Sequence, residues 1–273
     1  MIFIEPMLGL CNRIRVIDSV LALNHERKHS VWVLWLRDAD LNCRFDELFK
    51  RPAGVDGVFD FAIATPWGRI LKYLLPRVLQ NAVSRAIHQN EMDRMLADGF
   101  AFSSLLPLSS VYVRTWDRFY PEKNPSMEFR LVAELQAAVD NYGIDRRRTV
   151  GVHIRRTDNQ WRNHSPTEEF VRLMKEEIDN RPETVFFVAT DSREEEEHLK
   201  RLFPGRIFSH RKQNLNRNSP DGIKDAVVDL YCLARCGKII GSHRSSFSEA
   251  AAQIGKCPLV IAQKGGLVPQ LVK

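Results

Sequence analysis

The chain lacks the sequence features that mark membrane-spanning and secreted proteins. Its 273 residues contain no apolar run of the roughly 18 residues that a helix needs to cross a bilayer. The N-terminus begins without the basic segment and apolar stretch of a signal peptide. Internal repeats and low-complexity tracts are also missing, so an ordinary globular protein is expected. We therefore predict a cytoplasmic protein and leave peripheral contact with a membrane surface open.

Cysteine is scarce and shows no pairing pattern. The chain has five cysteines, an odd number, and each lies in or beside an apolar run. Small secreted scaffolds have dense, even cysteine spacing, so reduced structural thiols are expected here instead. Cys232 and Cys236 lie one helical turn apart, but no second pair with zinc-ligand spacing accompanies them or the remaining Cys11, Cys43 and Cys257. We predict no metal site and no cofactor.

Length and charge set the scale of the molecule. A chain of 273 residues exceeds the usual single domain and fits two domains of about 140 residues each. Its 40 lysines and arginines outnumber its 34 acidic residues, which gives a net charge of +6. This excess suits an anionic partner such as a nucleotide, an acidic glycan, a membrane surface or nucleic acid. Charge alone does not choose among them.

Strand-like apolar runs alternate with helical patterns in both halves of the chain. In the first half, strands are predicted at 2–5, 31–36, 58–62 and 111–115, with a helix over about 12–27. In the second half, strands at 149–154, 184–189, 238–241 and 258–261 alternate with helices that begin near Pro166, Arg193 and Gly222. This order predicts parallel sheets covered by helices. We expect an α/β fold of two Rossmann-like domains that face each other across a cleft.

A polar segment separates the two halves. An apolar periodicity predicts a helix over about 128–142 that ends at Gly143. The following residues, 144–149, include three consecutive arginines and read as a linker. The predicted domains are therefore 1–146 and 147–273.

The most informative stretch is an apolar strand, 150–154, that runs directly into Arg155, Arg156 and Asp158. Open α/β sheets place their ligand crevices at the carboxyl ends of parallel strands. A planar guanidinium at such an end matches a phosphate with two charge-assisted hydrogen bonds. The alternative is a surface ion pair between the arginines and Asp158.

Two other strand ends carry polar residues. A turn from Gly9 to Asn12 lies between the first strand and its helix, where backbone amides and the Asn12 side chain face an anion. The alternative is a plain turn in which Asn12 caps the helix.

The apolar strand 184–189 is followed closely by Asp191, whose carboxylate suits ribose hydroxyls or a base edge. Alternatively, Asp191 or Ser192 caps the next helix.

A block from 225 to 252 reads as helix, strand, loop and helix. Ser245 and Ser246 begin its last helix, whose free amides favour phosphate oxygens. Asp229 lies on an apolar helix face, where an unpaired carboxylate is costly, so a specific donor such as a guanine edge is expected. Alternatively, Asp229 forms a salt bridge with Arg235 or Lys224.

Together these segments resemble the superfamily of GDP-fucose-dependent fucosyltransferases, in particular the group of core α-1,6-fucosyltransferases and bacterial nodulation fucosyltransferases. The resemblance covers the second half of the chain well and the first half hardly at all. Its motifs are His153-x-Arg155-Arg156-Thr157-Asp158, Ala189-Thr190-Asp191 after a strand, the block from Asp229 to Ser245-Ser246, and the N-terminal Gly9-to-Asn12 turn.

The resemblance implies a GT-B-like fold and an inverting, metal-independent transfer of fucose from GDP-fucose to a hydroxyl of a glycan or glycoconjugate. Domain 147–273 then binds the GDP-sugar, and domain 1–146 lies on the acceptor side. Arg155 binds the β-phosphate and is the expected catalytic residue, because a fixed guanidinium stabilises the charge that grows on the departing diphosphate. The resemblance also implies the other donor-binding residues: His153 and Asp229 at guanine, Ser245 and Ser246 at the pyrophosphate, Asp191 at the nucleoside, and Arg156 and Asp158 beside Arg155. Our own inference places Asn12 across the cleft, near the pyrophosphate or the sugar.

The general base is not identified. The core enzymes have a lysine after the motif aspartate and a glutamate five residues beyond it, where this chain has Asn159 and Asn163. A base on the first domain is equally compatible with the sequence, and 165–168 also has the residues of a helix capping box. The nearby candidates for the base are His164, Glu168 and Glu169.

Other functions compete with fucosyl transfer. One alternative is a GT-B transferase that uses another GDP-sugar, such as GDP-mannose, because the identity of the sugar depends on a few contacts that the sequence does not reveal. A non-catalytic glycan- or nucleic-acid-binding protein would need a basic surface with exposed aromatics, whereas the basic residues here are scattered. We expect no nucleic-acid partner.

The amphipathic segment 65–100 either covers the acceptor side or contacts lipid.

Overall fold

The computed structural model describes residues 1–26, 28–120, 129–157, 162–212, 218–263 and 269–270. The chain forms two compact units. Unit 1 comprises Met1–Val132 with Asn216–Lys224, and unit 2 comprises Ala133–Leu215 with Asp225–Lys273. Each unit is an α/β structure with its own sheet, so the predicted α/β class is confirmed.

Unit 1 has one fully parallel sheet. Its strands lie in the order β3-β2-β1-β5-β4, and β1 pairs with both β2 and β5 in parallel. The order reverses between β1 and β5, which makes their carboxyl ends the switch point of this sheet. The elements are β1 (Ile2–Pro6), α1 (Leu10–Leu23), β2 (Val31–Arg37), β3 (Gly57–Ala62), α2 (Pro66–Ala82), β4 (Arg85–Ile87), α3 (Gln89–Ala97) and β5 (Val111–Thr115).

Unit 2 has the strand order of a Rossmann sheet. Read from β8, the order is β8-β7-β6-β9-β10-β11, and all neighbours are parallel except β10 and β11. The order reverses between β6 and β9, so a ligand crevice is expected at their carboxyl ends. The elements are α4 (Ala133–Asp140), β6 (Thr149–Ile154), α5 (Thr167–Asn180), β7 (Val185–Thr190), α6 (Arg193–Leu202), β8 (Ile207–Ser209), α7 (Pro220–Arg235), β9 (Lys238–Gly241), α8 (Ser246–Gly255), β10 (Leu259–Ile261) and β11 (Pro269–Gln270).

Strand β6 forms the centre of unit 2. Every residue of this strand is buried, as expected for a parallel strand covered on both faces. Val152 and Ile154 pack in one apolar cluster with Phe170 and Met174 of α5. Gly151 allows α7 to approach on the strand's other side, because a Cβ there would lie 2.9 Å from Leu233 Cδ2. Apolar packing on both faces therefore holds the end of β6 in place.

The junction between the units differs from the helix predicted over 128–142. The helix α4 begins only at Ala133, and Leu131 instead forms an antiparallel bridge with Phe49. Phe129 also packs its ring against Phe49, with 5.3 Å between ring centroids. These contacts hold 129–131 in unit 1, and the boundary of the compact units falls at Val132, ahead of the expected linker at 144–149.

A buried arginine fixes the turn before α1. Arg13 is completely buried, donates to the carbonyl of Leu8 at 2.6 Å and to that of Leu36, and pairs with Asp38 at 3.0 Å. Burial lowers the pKa of Arg13, and the Asp38 carboxylate opposes that shift. Leu8 has a positive φ of 62°. The turn therefore depends on a side chain that satisfies carbonyls on two elements.

None of the helices in the described ranges is long and apolar enough to cross a membrane.

Candidate active site in the second unit

Polar and charged side chains gather at the carboxyl ends of three neighbouring strands of unit 2. Arg155 follows β6, Asp191 follows β7, and Ser242 follows β9. Since these strands are parallel and adjacent, their ends meet at one edge of the sheet. The edge includes the switch point between β6 and β9, where α/β sheets of this order bind ligands.

Ser242 ties the end of β6 to β9. Its hydroxyl accepts a hydrogen bond from the backbone N–H of Arg155 at 3.1 Å and donates to the carbonyl of His153 at 3.1 Å. Ser242 is completely buried, so this arrangement is sheltered from water. The backbone from which the Arg155 side chain projects is therefore fixed. Ser242 was not among the residues predicted from the sequence, although its position directly after an apolar strand was a usable signal.

Asp191 ties the same loop to β7. Its Oδ1 accepts from the N–H of Arg156 at 2.8 Å, and its Oδ2 accepts from the N–H of Thr157 at 3.0 Å and from the Thr157 hydroxyl at 2.6 Å. Ser192, not Asp191, caps α6 by accepting from Glu195 N–H. Asp191 thus shapes the loop after β6, a role that differs from the expected contact with the nucleoside.

The guanidinium of Arg156 is held by hydrogen bonds to other residues of unit 2. Its Nε pairs with Glu195 at 2.6 Å, and its two terminal nitrogens donate to the Ser165 carbonyl at 2.8 Å and the Thr167 hydroxyl at 3.0 Å. The guanidinium also lies over the Phe170 ring, 5.8 Å from its centroid. Each nitrogen therefore has a protein partner. Arg156 positions the loop, whereas the sequence analysis expected it at the donor.

His153 lies beneath the start of α8. Its Nδ1 shares a hydrogen bond with the Ser248 hydroxyl at 2.8 Å and lies 3.5 Å from that of Ser245. Its ring stacks on Phe247, with 4.7 Å between centroids. The histidine is 7% exposed, so a ligand meets at most an edge of it. The structure brings His153 next to Ser245, and the contact of His153 with guanine that the resemblance implied stays a prediction.

The N-terminus of α8 lies at the same edge of the sheet. The helix begins at Ser246, with Ser245 at the N-cap position and no side-chain capping bond, so the predicted start of the last helix is confirmed. A Cβ on Gly241 would lie 2.6 Å from Ser248 Cβ, so the close approach of α8 to β9 requires glycine there. Helix N-termini present backbone N–H groups and a partial positive charge to anions.

Asp229 has a partner that the sequence analysis did not name. Its Oδ2 pairs with Lys212 at 2.9 Å, whereas the expected alternatives are occupied elsewhere: Arg235 pairs with Asp140 and Lys224 with Glu47. The Lys212 ammonium also donates to the Thr190 carbonyl at the end of β7. Lysine 212 is far from Asp229 in sequence, and no local spacing indicated this pair.

The environment of Asp229 is strongly desolvated. The residue is 4% exposed, and burial raises its pKa, opposed by the Lys212 ammonium. Its second oxygen, Oδ1, is buried and has no hydrogen-bond partner within the described part of the chain. An unsatisfied buried oxygen is costly, which favours a ligand donor here.

A polar cavity of about 370 Å³ opens beside this pair. Thr190, Glu196, His210 and Lys212 are among its lining residues. Two neighbours orient His210: its Nδ1 shares a hydrogen bond of 2.7 Å with the Tyr142 hydroxyl, and its Nε2 lies 2.8 Å from Asp225 Oδ1. The cavity therefore has both cationic and hydrogen-bonding side chains next to the end of β7.

Two histidines stack at the end of β9. His164 and His243 have ring centroids 5.5 Å apart, and the N–H of His243 donates to the Ser165 hydroxyl at 2.8 Å. Burial lowers the pKa of His243, the nearby His164 and Arg244 lower it further, and a hydrogen bond with Gln263 opposes the shift. His243 immediately follows Ser242, which holds the Arg155 backbone.

The predicted capping box at 165–168 is wrong. Ser165 is completely buried and accepts from His243, and the helix α5 begins at Thr167 with Pro166 at its N-cap position. Glu168 is exposed and lines a separate cavity of about 350 Å³ between α5 and α6. The neighbouring Glu169 pairs with Arg172 at 2.9 Å.

The two remaining predicted donor residues are Asp158 and Asn12. Asp158 lies outside the described residues. Asn12 lies in the first turn of α1 in unit 1, and Gly9 occupies the N-cap position, so the alternative of an Asn12 cap is wrong. A contact between Asn12 and a ligand stays a prediction.

Within the described ranges, no group of three or more His, Cys, Asp or Glu side chains has the arrangement of a metal site. All five cysteines are buried, and burial raises the pKa of the Cys232 and Cys236 thiols. These thiols therefore pack as small apolar side chains.

Replacing Asp191 with alanine tests how the loop is held. We expect backbone amide hydrogen exchange at Arg156 and Thr157 to become about fivefold to a hundredfold faster, because both amides lose their acceptor. Glu194→Ala, in the first turn of α6, removes an exposed carboxylate and serves as the control. Unchanged exchange at both amides in Asp191→Ala would contradict this view of the loop.

Comparison with known proteins supports the fold. No protein-family model matches the chain, and no curated protein matches it. Among solved structures, the fucosyltransferase NodZ from Bradyrhizobium matches with a TM-score of 0.67 and 16% identity, over 98% of this chain and 97% of that chain. A NodZ α-1,6-fucosyltransferase crystal soaked with GDP-fucose gives the same values.

Two further groups of solved structures share this fold. POFUT1 in complex with GDP-fucose matches with a TM-score of 0.59 and 14% identity, over 96% of this chain and 97% of that chain. Arabidopsis thaliana FUT1 in complex with GDP matches with a TM-score of 0.60 and 14% identity, over 95% of this chain and 69% of that chain. The predicted GT-B-like fold with two Rossmann-like sheets is therefore confirmed: the fold of this chain is that of these fucosyltransferases.

Proposed function

We propose that this protein is a glycosyltransferase that transfers fucose from GDP-fucose to a hydroxyl of a glycan or glycoconjugate. The observation that carries the proposal is the edge of the unit 2 sheet, where Arg155 and the start of α8 meet at the switch point between β6 and β9. A guanidinium and a helix N-terminus are both suited to a diphosphate. The shared fold with structures that contain GDP or GDP-fucose supports this choice of ligand.

The donor is proposed to bind along this edge. Its diphosphate contacts the Arg155 guanidinium and the backbone amides at Ser245 and Ser246. The guanine base lies towards Asp229, whose buried Oδ1 lacks a partner in the described ranges and suits the N1–H and exocyclic amine of guanine. His153 acts from beneath the start of α8 and holds Ser248 and Ser245 in place.

The proposed reaction inverts the anomeric carbon. The acceptor hydroxyl oxygen forms a bond to C1 of fucose while the bond between C1 and the β-phosphate oxygen breaks, and GDP leaves with that electron pair. The sugar is cationic in the transition state, and negative charge grows on the diphosphate. Arg155 and the α8 amides stabilise that charge from fixed positions, which lowers the barrier more than it strengthens ground-state binding. We propose that these groups make a metal unnecessary.

The hydroxyl proton requires an acceptor, and we propose His164. It stacks on His243 at the end of β9, one residue from the serine that holds Arg155. By contrast, Glu169 is paired with Arg172, and Glu168 faces the cavity between α5 and α6. Of the three candidates from the sequence, we propose His164 because it contacts His243, which directly follows the serine that holds the Arg155 backbone.

The donor is tested by thermal shift and donor hydrolysis in the presence of EDTA. We expect GDP and GDP-fucose to raise the unfolding temperature, since a ligand at a hundred times its Kd stabilises by about 2.7 kcal/mol. GDP-fucose should also be hydrolysed slowly. Stabilisation by UDP-sugars alone would contradict the proposal, and turnover of GDP-mannose instead of GDP-fucose would assign a different sugar.

The neighbouring arginines should fail in different ways when replaced by lysine. Arg155→Lys should keep the wild-type unfolding temperature and lose about 10²- to 10³-fold in kcat, because lysine lacks the planar two-point contact with phosphate. Arg156→Lys should mainly lower stability, because it breaks a buried network with Glu195, Ser165 and Thr167. Near-wild-type turnover by Arg155→Lys would remove it from the mechanism.

The base is tested by three matched amide variants. His164→Gln should lower kcat by about 10²-fold or more, within the usual range for loss of a general base. Glu168→Gln and Glu169→Gln should stay within a few-fold of wild type. A large loss in either glutamate variant, with His164→Gln unaffected, would assign the base to that glutamate.

A further inference from the structure

Helix α2 exposes a continuous apolar stripe. Trp67 is 75% exposed, and Ile70, Leu74 and Val78 are each 52% exposed. Together with Leu71, these residues follow the spacing i, i+3, i+4, i+7 and i+11, which places them on one face of a helix. Isolated exposed apolar residues are ordinary, but a contiguous apolar patch on a soluble surface marks an interaction site.

The helix has a different apolar face that packs on unit 1. Leu75 and Leu79 contact the cluster formed by Leu34, Leu36 and Tyr112 of the sheet. The start of α2 is fixed by Thr65, whose hydroxyl accepts from the N–H of Gly68 at 3.0 Å. Folding of unit 1 is therefore satisfied by the inner face, and the stripe is not needed to attach the helix.

The charges on α2 are all of one sign. Its 17 residues include Arg69, Lys72 and Arg77 and no aspartate or glutamate. Arg69 and Arg77 are exposed, and Lys72 lies 5.8 Å from the centroid of the Tyr73 ring. Tyr73 itself is 65% exposed. An apolar stripe with a tryptophan, next to Arg77 and Tyr73 on a helix without acidic residues, has the composition of a helix that lies in a membrane interface.

We propose that α2 docks this protein onto an anionic lipid surface. The helix lies parallel to the surface, with Trp67, Ile70, Leu74 and Val78 inserted below the lipid headgroups. Arg77, three residues after Leu74, extends from the edge of the stripe towards the phosphates, as long cationic side chains do at interfaces, and Arg69 adds positive charge on the same helix. From Trp67 to Val78 the stripe runs about 17 Å along the helix, at 1.5 Å per residue.

The choice of lipid over a protein partner rests on charge and on the shape of the surface. A binding surface for another chain mixes hydrogen-bonding groups of both signs around its apolar centre. The charged residues of α2 itself are all cations, which complements the uniform negative charge of an anionic bilayer. Phe59 on the edge strand β3 is 48% exposed and, by strand register, shares the sheet face that α2 covers.

Sedimentation with lipid vesicles tests the proposal. The full chain should bind vesicles of mixed phosphatidylcholine and phosphatidylglycerol and bind vesicles of phosphatidylcholine alone much more weakly. Leu74→Ser should weaken binding by about tenfold to a hundredfold, since it removes three carbon groups that contribute about 0.8 kcal/mol each when buried. The double variant Arg69→Gln/Arg77→Gln should weaken it by about tenfold or more at low salt, since each cation near the surface contributes about 1 kcal/mol.

Matched controls come from unit 2. Leu202→Ser removes a leucine that is 44% exposed on α6. Arg147→Gln/Arg201→Gln removes two exposed arginines and so lowers the net charge as much as the double variant on α2 does. Both controls should bind like wild type. Donor binding should be intact in every variant.

Several results would overturn the proposal. These are absence of binding to the anionic vesicles, equal binding to neutral vesicles, and wild-type binding by Leu74→Ser. A chain that is dimeric by sedimentation velocity and becomes monomeric in Leu74→Ser would assign the stripe to a second copy instead.

Discussion

The candidate site depends on how the carboxyl end of one buried strand is held. Strand β6 is buried along its whole length, and its end is tied to both neighbouring strands. Ser242 accepts from the Arg155 N–H on the β9 side, and Asp191 accepts from the N–H groups of Arg156 and Thr157 on the β7 side. The backbone after a parallel strand normally leaves these donors to solvent or ligand. Here the protein satisfies them with two buried or half-buried side chains, and the loop has a fixed shape.

This constraint separates the roles of adjacent arginines. The guanidinium of Arg156 turns into the protein, where Glu195, Ser165 and Thr167 hold it over Phe170. Arg155 projects from the same fixed backbone at the switch point of the sheet. The glycine at 241 brings the start of α8 to that edge, and His153 supports the serines there. A preorganised cationic edge of this kind is what a leaving diphosphate requires, because its charge grows during the reaction and leaves no time for rearrangement.

Much of this arrangement is encoded locally. The apolar, β-branched runs predicted the long parallel strands, and charged residues after such runs predicted which edge carries the site. Short elements such as β4 and β8 have too few residues to show a period. Partners that are distant in sequence were also hidden: Lys212 for Asp229, and Phe49 for Phe129 and Leu131. The sequence could not show which of the paired arginines turns inward, because adjacent residues differ only in the contacts that the fold gives them.

The most direct measurement is a crystal structure of the protein with GDP. We expect the β-phosphate to lie within hydrogen-bond distance of the Arg155 guanidinium and of the backbone amides at the start of α8, with Arg156 still bound to Glu195. GDP phosphates bound away from the carboxyl ends of β6 and β9, or contacting Arg156 in place of Arg155, would contradict it.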